Sequence, residues 1–408
     1  MKKFWFYIEP YVLFFKKGEK ALFYNTLDYT ILKIKITPEL LEIMEKLEEN
    51  KCILLEESVL LQPAISTFLE QLRTHYLGDK IIATAASVRP ALFQPIINNQ
   101  REFRRVTKNE SVKTDTWVMD YLEELYIGLN GVVEEKFPEC YKQTLYFIKS
   151  DYCLQTSALL SFLENVPDLQ INQINLFGGD VLSHPDFNTI LRFLRSKTHR
   201  IHLFYCYDYW KPEYNISFKE ENYSLTIIVP LWEYEEELFN KKKLSFEKSN
   251  ISPKWVFLVH TEAEYTKAIQ LVSDFSHTAV KVIPVYTGDN LEFFKAYVFT
   301  EETDLTEFQL NKREIYTRQK FNPRDFGRLS ILPDGKIYAN VNFDNLGEIY
   351  TDHIQTILYK ELQEGQSWLR IRDKAPCRDC VYQWLCPPPS NYEIALGKYN
   401  LCHLSETE

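Results

Sequence analysis

Basic residues, glycine and long apolar runs are all scarce in this 408-residue chain. It has 47 Lys and Arg against 57 Asp and Glu, and the net charge of −10 argues against a general nucleic-acid binder. No stretch approaches about eighteen consecutive apolar residues, the length that a membrane-spanning helix needs. With 12 glycines and no repeat or low-complexity tract, the chain is typical of a soluble globular protein of about two or three domains.

Several common functional motifs are also absent. The sequence has no Gly-x4-Gly-Lys-Ser/Thr phosphate loop, no His-Glu-x2-His zinc helix and no Gly-x-Ser-x-Gly nucleophile elbow. A secretion signal is not predicted, because Glu9 and Pro10 interrupt the apolar residues 4–8 and no small-residue cleavage site follows. We therefore predict a cytoplasmic protein with neither a nucleic-acid nor a membrane partner, in which disulfides are disfavoured.

Cysteine is present but unevenly distributed, with four of the eight in the last 32 residues. These four follow the pattern Cys377-x2-Cys380-x5-Cys386-x15-Cys402. Four thiolates at such spacing suit a zinc ion or an iron-sulfur cluster, and the spacing alone does not choose between them. The isolated Cys52, Cys153 and Cys206 are predicted to be small buried apolar residues.

Residues 1–106 are predicted to form a small α+β domain followed by a linker. Apolar and β-branched runs at 4–8, 11–15, 21–25, 31–36 and 53–55 predict strands. One helix is predicted to begin at Pro38, with Thr37 as its N-cap, and a second follows Pro63. The stretch 90–110, which contains Arg101, Arg104 and Arg105, has little periodicity and is the predicted linker.

Residues 107–322 alternate between apolar runs and helical patterns. The predicted strands are 125–129, 174–177, 200–205, 225–229, 255–259 and 280–285, with amphipathic stretches such as 157–165 and 187–194 between them. This alternation predicts an α/β fold with a parallel sheet. About six strand-helix units are too few for a full eight-stranded barrel. The strand at 174–177 runs into Gly178-Gly179-Asp180, where two glycines allow a sharp turn or a close backbone approach.

The cysteine-rich tail resembles the SPASM domain that follows many radical SAM enzymes, and the Gly178-Gly179-Asp180 loop resembles their Gly-Gly-Glu-Pro loop. The chain as a whole is similar to the pseudo-radical-SAM/SPASM proteins of Bacteroidales peptide-maturation systems, whose precursors carry double-glycine leaders. This resemblance implies a partial (β/α)6-type barrel at 107–322 and a SPASM-like domain at 323–408. It implies for residues 1–106 a winged-helix-like domain of the kind that binds leader peptides as an added strand.

The resemblance also implies ligands for one auxiliary [4Fe-4S] cluster, at Cys377, Cys380, Cys386 and Cys402. Ligands of a second auxiliary cluster are missing, since Asn340 and Ser390 stand at two of their positions. The radical-forming triplet Cys-x3-Cys-x2-Cys is missing too, because Thr144 and Phe147 take the places that follow Cys140. Asp180 and Val181 replace the Glu and Pro of the SAM-binding loop, so the loop is interpreted as vestigial and SAM binding is not expected.

Several functional hypotheses follow. The first is a non-catalytic accessory protein that binds a ribosomally made precursor peptide, a partner radical SAM maturase, or both. The second is an electron-transfer partner that uses the retained cluster. A third is a SAM-dependent radical enzyme with divergent ligands, and a fourth is a zinc-stabilised interaction protein.

Overall fold

The computed structural model describes residues 2–84, 89–90, 116–131, 141–164, 171–198, 200–211, 223–273, 275 and 279–404. Most of the predicted linker, with Arg101, Arg104 and Arg105, lies outside the described residues, as does Cys140.

The N-terminal part contains two three-stranded antiparallel sheets. The strands are β1 (Lys3–Ile8), β2 (Val12–Lys17), β3 (Lys20–Asn25), β4 (Ile31–Lys35), β5 (Cys52–Glu56) and β6 (Gly78–Ala83). One sheet has the order β5-β1-β6 and the other β2-β3-β4. The strands predicted before residue 56 are confirmed, whereas β6 and the division into two sheets were not predicted.

Three helices accompany these sheets: α1 (Pro38–Glu49), α2 (Glu57–Leu60) and α3 (Pro63–Thr74). Both longer helices begin with proline at the first turn, where its missing N–H costs no hydrogen bond. Apolar side chains at helical spacing face the core, and they are Leu40, Ile43, Met44, Leu47, Ile65, Phe68, Leu69 and Leu72. The ring of Phe68 packs against Phe6 of β1 at 6.0 Å, so the helices and the first sheet share one core.

The middle of the chain forms one large sheet in which six parallel strands follow each other in chain order. They are β7 (Glu124–Gly128), β8 (Gln173–Phe177), β9 (Ile201–Cys206), β10 (Tyr223–Pro230), β11 (Lys254–Val259) and β12 (Val280–Pro284). Each lies within two residues of its predicted bounds, so the parallel α/β fold is confirmed. A helix or a one-turn segment lies between neighbouring strands, because parallel strands need a crossover connection.

The helices of this region are α4 (Tyr141–Thr144), α5 (Thr156–Glu164), α6 (Phe187–Arg195), α7 (Glu236–Lys248), α8 (Glu262–Ser273) and α9 (Leu291–Val298). In α6 four apolar residues at helical spacing, Phe187, Ile190, Leu191 and Leu194, are buried. This face packs onto the sheet and belongs to its core.

The C-terminal part extends the same sheet. Its elements are α10 (Glu302–Glu307), α11 (Lys312–Arg318), β13 (Arg328–Ile331), β14 (Lys336–Tyr338), β15 (Gly347–Glu348), α12 (Ile354–Glu364) and α13 (Asn391–Leu396). Strand β13 pairs in parallel with β7, and β14 and β15 follow antiparallel. Strands from the C-terminal part and the six parallel strands therefore belong to one sheet.

The first and last parts of the chain also pack directly against each other. Leu13, Leu22 and Tyr24 of the second N-terminal sheet share a core with Leu305, Ile315, Val381 and Leu385. The Tyr24 hydroxyl donates to the Leu310 carbonyl at 3.0 Å and accepts the Leu310 N–H at 2.8 Å. In the described part of the chain, no helix has the length and apolar character needed to cross a bilayer.

Candidate functional site

The four C-terminal cysteines line one cavity of about 760 Å³. Cys377 begins a short turn in which the Cys380 N–H donates to its carbonyl, and the Cys386 N–H donates to the carbonyl of Tyr382. Cys402 arrives from a different direction, since residues 401–403 hydrogen-bond to Thr300. All four are free thiols. Two tight turns and a distant segment thus bring the predicted ligands to one place.

A second wall of this cavity comes from the N-terminal part. Lys33 and Lys35 of β4 line it together with Glu19 and Lys20. Lys33 forms an ion pair with Glu302, whose carboxylate also accepts a hydrogen bond from Tyr382 at 3.0 Å. The cavity is therefore closed by residues about 350 positions away in the sequence, which no local pattern could have indicated.

A charged side chain, that of Arg372, lies beside Cys377. Its Nη1 lies 3.7 Å from Cys377 Sγ, and its Nη2 lies 2.7 Å from a Glu393 carboxylate oxygen. The two side chains are only 9% and 6% exposed, so this is a buried ion pair. Burial by itself lowers the pKa of Arg372, but Glu393 and the thiols raise it, and the net direction is upward. Arg372 is thus held as a cation beside the cysteines.

Two of the thiols, those of Cys377 and Cys386, are difficult to ionise without a metal. Burial raises the pKa of Cys386 to about 12, with further increases from Cys380, Cys377 and Cys402 and an opposing effect of Arg372. Burial also raises the pKa of Cys377. Metal or cluster binding requires thiolates, so it would release protons here.

The backbone around the cysteines is held by buried polar side chains. Arg318 donates to the carbonyls of Leu385 and Cys386 at 2.6 and 2.9 Å. Asn322 Nδ2 donates to the Pro389 carbonyl at 2.9 Å, and Gln383 Nε2 to the Arg372 carbonyl at 2.6 Å. These bonds position the segment that carries three of the cysteines.

The donor set suits an iron-sulfur cluster, with four thiols around one cavity and a buried cation beside them. Among the described residues, no group of three or more His, Cys, Asp or Glu side chains is placed so that it could hold a metal ion.

The Gly178-Gly179-Asp180 loop leaves the carboxyl end of β8 and is fastened to Asn130. Gly178 has a φ of +149°, and a Cβ there would lie 2.3 Å from the Asn130 carbonyl oxygen. The Gly179 N–H donates to Asn130 Oδ1 at 3.1 Å, and Asn130 Nδ2 donates to the Asp180 carbonyl at 2.6 Å. The glycines therefore serve a close backbone approach, as the sequence predicts.

The Asp180 carboxylate is engaged by groups of the same chain. One oxygen accepts a hydrogen bond from the Tyr205 hydroxyl, and the other lies 3.8 Å from Lys211 Nζ. Thr144 ends the one-turn helix α4, and Phe147 is buried in the core of the large sheet. Thr144 and Phe147 stand at two positions of the missing cysteine triplet, and neither offers a thiolate to iron.

The two positions that resemble missing cluster ligands make hydrogen bonds instead. Asn340 Nδ2 donates to Asn391 Oδ1 at 2.6 Å. Ser390 caps helix α13 in a capping box with Glu393. Cys52 and Cys206 are buried as predicted, but the prediction for Cys153 is wrong because its side chain is exposed in the loop before α5. The sequence around Cys153 does not indicate whether this loop lies at the surface or in the core.

Arg372 and Glu393 are the functional candidates that sequence reasoning missed. Arg372 stands five residues before Cys377 in a run of mixed charge, and Glu393 lies in the first turn of α13. Only the excess of arginine close to the cysteines could have drawn attention to this pair. Its burial depends on the folded tail.

Two solved structures of one protein match this chain over nearly its full length. The crystal structure of Streptococcus suis SuiB bound to precursor peptide SuiA matches over 97% of this chain and 98% of that one, with 12% identity and a TM-score of 0.41. The structure of SuiB bound to S-adenosylmethionine matches over 96% and 97%, with 11% identity and a TM-score of 0.41. No protein-family model and no curated protein matches the chain. Identity and TM-score of this size establish neither a common fold nor a common activity.

Proposed function

We propose that this protein is a non-catalytic accessory protein of a ribosomal-peptide maturation system, with one [4Fe-4S] cluster at Cys377, Cys380, Cys386 and Cys402. The observation that carries the proposal is the contrast between two places in one chain. Four thiols line one cavity at the tail, while the Asp180 carboxylate beside the large sheet is already engaged by Tyr205 and Lys211. The thiols at the first place are the ligands that a cluster would use, and the carboxylate at the second is less available to the amino group of S-adenosylmethionine.

The role of the cluster in this proposal is structural. A cluster binds each of its four thiolates through a separate iron atom, so thiols spread around a cavity suit it better than a single zinc ion, whose Zn–S bonds are about 2.3 Å. Ligand convergence of this kind contributes folding free energy directly. The cluster would then join the tail to the N-terminal strands that form the other wall of the cavity.

The peptide-binding part of the proposal rests on strand β6. Among the described strands it pairs with β1 alone, so its other edge can accept a further strand. Leu54, Trp5 and Ile81 stand opposite each other in the cross-strand register, and they form an apolar row on one face of this sheet. Leu54 and Ile81 are 44% and 46% exposed. An extended precursor peptide could add to β6 through its backbone and cover this row with its side chains.

Metal analysis tests the cluster directly. Protein purified anaerobically should contain about four iron and four sulfide per chain, and Cys380→Ser should lose them and melt at a lower temperature. Cys153→Ser is the matched control, because this thiol is exposed and distant in sequence from the cavity. Zinc in place of iron would exclude the cluster and the electron-transfer alternative and would leave a zinc-stabilised interaction protein. Unchanged iron in Cys380→Ser would contradict the ligand assignment.

The non-catalytic assignment has its own test. Reduced protein incubated with S-adenosylmethionine should form no 5′-deoxyadenosine. Appearance of this product would support the radical-enzyme alternative, with ligands supplied from elsewhere.

Peptide binding is tested with the precursor and the maturase of the same biosynthetic system. Ile81→Lys should weaken binding of the precursor peptide about tenfold, because it places a charge in the apolar row. Ile269→Lys is the control, since Ile269 is similarly exposed, at 48%, on helix α8. Equal affinities for the two variants would exclude β6 as the binding edge. Co-purification with the maturase tests the second partner.

A further inference from the structure

A second cavity, of about 540 Å³, lies against one face of the large sheet, and none of the cysteines lines it. Its floor consists of alternate residues of neighbouring strands, including Tyr126, His202, Phe204 and Thr226. Asn340 and Ser390 also line it. The positions that resemble missing cluster ligands therefore border a polar cavity. Its volume is within the range of about 300 to 1,000 Å³ that small-molecule sites occupy.

The charges around this cavity are mainly positive. Lys254, Lys281, Arg324 and Arg328 line it, against one acidic residue, Asp325. Arg328 is paired with Glu124 at 3.1 Å, and Asp325 is paired with Arg370 at 3.4 Å. Lys254 and Lys281 form no ion pair with a carboxylate of the described residues. Two ammonium groups at the mouth are thus available to an anion.

The cavity is also lined by uncharged side chains that form hydrogen bonds. His202 contacts the hydroxyls of Ser224 and Thr226 through its two ring nitrogens, at 2.5 and 2.7 Å. Burial, with Lys254 nearby, lowers the pKa of His202 to about 4, so the ring is uncharged at neutral pH. In the same cross-strand row stands Asn175, fully buried, whose Nδ2 has no partner among the described residues. Asn175 itself is not among the residues that line the cavity.

This cavity opens away from the Gly178–Asp180 loop. Lys254 is the first residue of β11 and Lys281 the second of β12, so the charged mouth lies at the amino ends of the strands. At the carboxyl ends the same face continues with buried Phe177, Ile228 and Leu258. A ligand that enters between these lysines would therefore be at the opposite end of the strands from the Gly178–Asp180 loop.

We propose that the cavity binds a small organic carboxylate, which enters at the amino ends of the strands between Lys254 and Lys281. The carboxylate pairs with the two ammonium groups, and the polar floor accommodates the rest of the molecule. The acid has two possible sources, a free small dicarboxylate or a glutamate side chain of a peptide. The enclosed size of the site suits both.

Binding to the full chain purified anaerobically tests this at low ionic strength, where charge pairs are least screened. The probes are glutarate, its neutral analogue glutaramide, and the capped tripeptide acetyl-Gly-Glu-Gly-amide. We expect glutarate or the tripeptide to bind and to raise the melting temperature, and glutaramide to bind at least about tenfold more weakly. If glutarate binds, a free dicarboxylate is sufficient to occupy the cavity. If the tripeptide binds and glutarate does not, the ligand is a glutamate side chain of a peptide.

Variants of the exposed lysines give the decisive comparison. The double variant Lys254→Gln/Lys281→Gln should weaken binding of the active probe about tenfold or more, while Lys241→Gln on the exposed surface of α7 should not. The two lysines of the cavity are exposed as well, so the double variant is expected to fold. The proposal is overturned if no acidic probe binds to the wild type, or if the double variant binds as tightly as the wild type.

Discussion

At the scale of single residues, buried charges distinguish the C-terminal part of this chain. Arg372 and Glu393 form an ion pair beside Cys377, and Glu361 is buried with its carboxylate turned toward two backbone N–H groups. A buried charge is tolerated only when partners replace the water it has lost. Each of these groups therefore has a measurable effect on stability.

Removing the guanidinium of Arg372 should be costly. In Arg372→Gln the carboxylate of Glu393 stays buried without its partner, so the free energy of unfolding should fall by roughly 3 kcal/mol. Arg378→Gln is the control, because Arg378 and its neighbour Asp379 are 63% and 67% exposed and their pair contributes under about 1 kcal/mol. Urea unfolding of both variants measures the difference. Similar small losses in the two would show that the Arg372 pair does not stabilise the tail.

Glu361 should make stability depend on pH. Burial raises its pKa from 4.5 to about 7, although the N–H groups of Trp368 and Ser367 oppose the change. The folded protein therefore binds this proton more tightly than the unfolded chain, and the stabilisation is lost as the pH rises from 4.5 through 7. Between pH 5 and pH 8 the wild type should lose roughly 2 kcal/mol that Glu361→Gln does not lose.

Urea unfolding at the two pH values checks this prediction. Gln can still accept the two backbone hydrogen bonds through its amide oxygen, so the variant isolates the ionisation from the packing. Glu247→Gln, on the exposed surface of α7, should retain the pH dependence of the wild type. A Glu361→Gln variant that loses as much stability as the wild type would refute the assignment.

At the scale of secondary-structure elements, the loop that follows β8 carries the glycines and the aspartate that resemble a SAM-binding loop. The turn after β8 approaches the backbone at Asn130 so closely that only glycine fits at position 178. Predicting the strand and the two glycines required only local pattern. The partners of Asp180, namely Tyr205 and Lys211, come from the end of the next strand, and their approach follows from the parallel pairing of β8 and β9.

Gly178→Ala should disturb this turn. The new Cβ would meet the Asn130 carbonyl oxygen at 2.3 Å, so the backbone must shift and the free energy of unfolding should fall by at least about 2 kcal/mol. Gly288→Ala also has a positive φ, +97°, but meets no atom within 4 Å, and it should lose only about 1 kcal/mol of backbone strain. Thermal unfolding compares the two. Equal losses would mean that the turn adapts to a side chain.

At the scale of the whole molecule, the chain closes on itself. The second N-terminal sheet packs on the segment 302–318 and on the cysteine-bearing tail, so residues from both ends build the wall of the thiol cavity. A cluster at this cavity would stabilise the contact between the two ends as well as the tail itself.

Tyr24→Phe tests this contact. It removes the hydroxyl that bonds both the N–H and the carbonyl of Leu310, and the free energy of unfolding should fall by about 1 to 2 kcal/mol. Limited proteolysis should then cleave between the N-terminal sheets and the rest more readily. Tyr11→Phe is the control, since its hydroxyl bonds the Tyr76 carbonyl within the N-terminal part. Faster cleavage in the control than in Tyr24→Phe would argue against a contact that depends on Tyr24.

Much of the secondary structure was predictable because its cause is local. The proline at the start of α1, the spacing of Leu40, Ile43 and Met44, and the apolar runs of the six parallel strands are all contained in short windows of sequence. Strand β6 was missed because Gly78-Asp79-Lys80 begins it with residues that disfavour strands. Its pairing with β1 overrides that propensity.

The amino-acid sequence by itself determined the types and order of these elements, the parallel sheet and the grouping of four thiols in the tail. Tertiary structure alone decided that β4 lies across the cavity from those thiols, that Arg372 is buried beside Cys377, and that Lys211 lies beside Asp180. The physical reason is the range of the interactions. Periodicity and turn chemistry act over a few residues, whereas burial and charge pairing join residues that are neighbours only after the whole chain has packed.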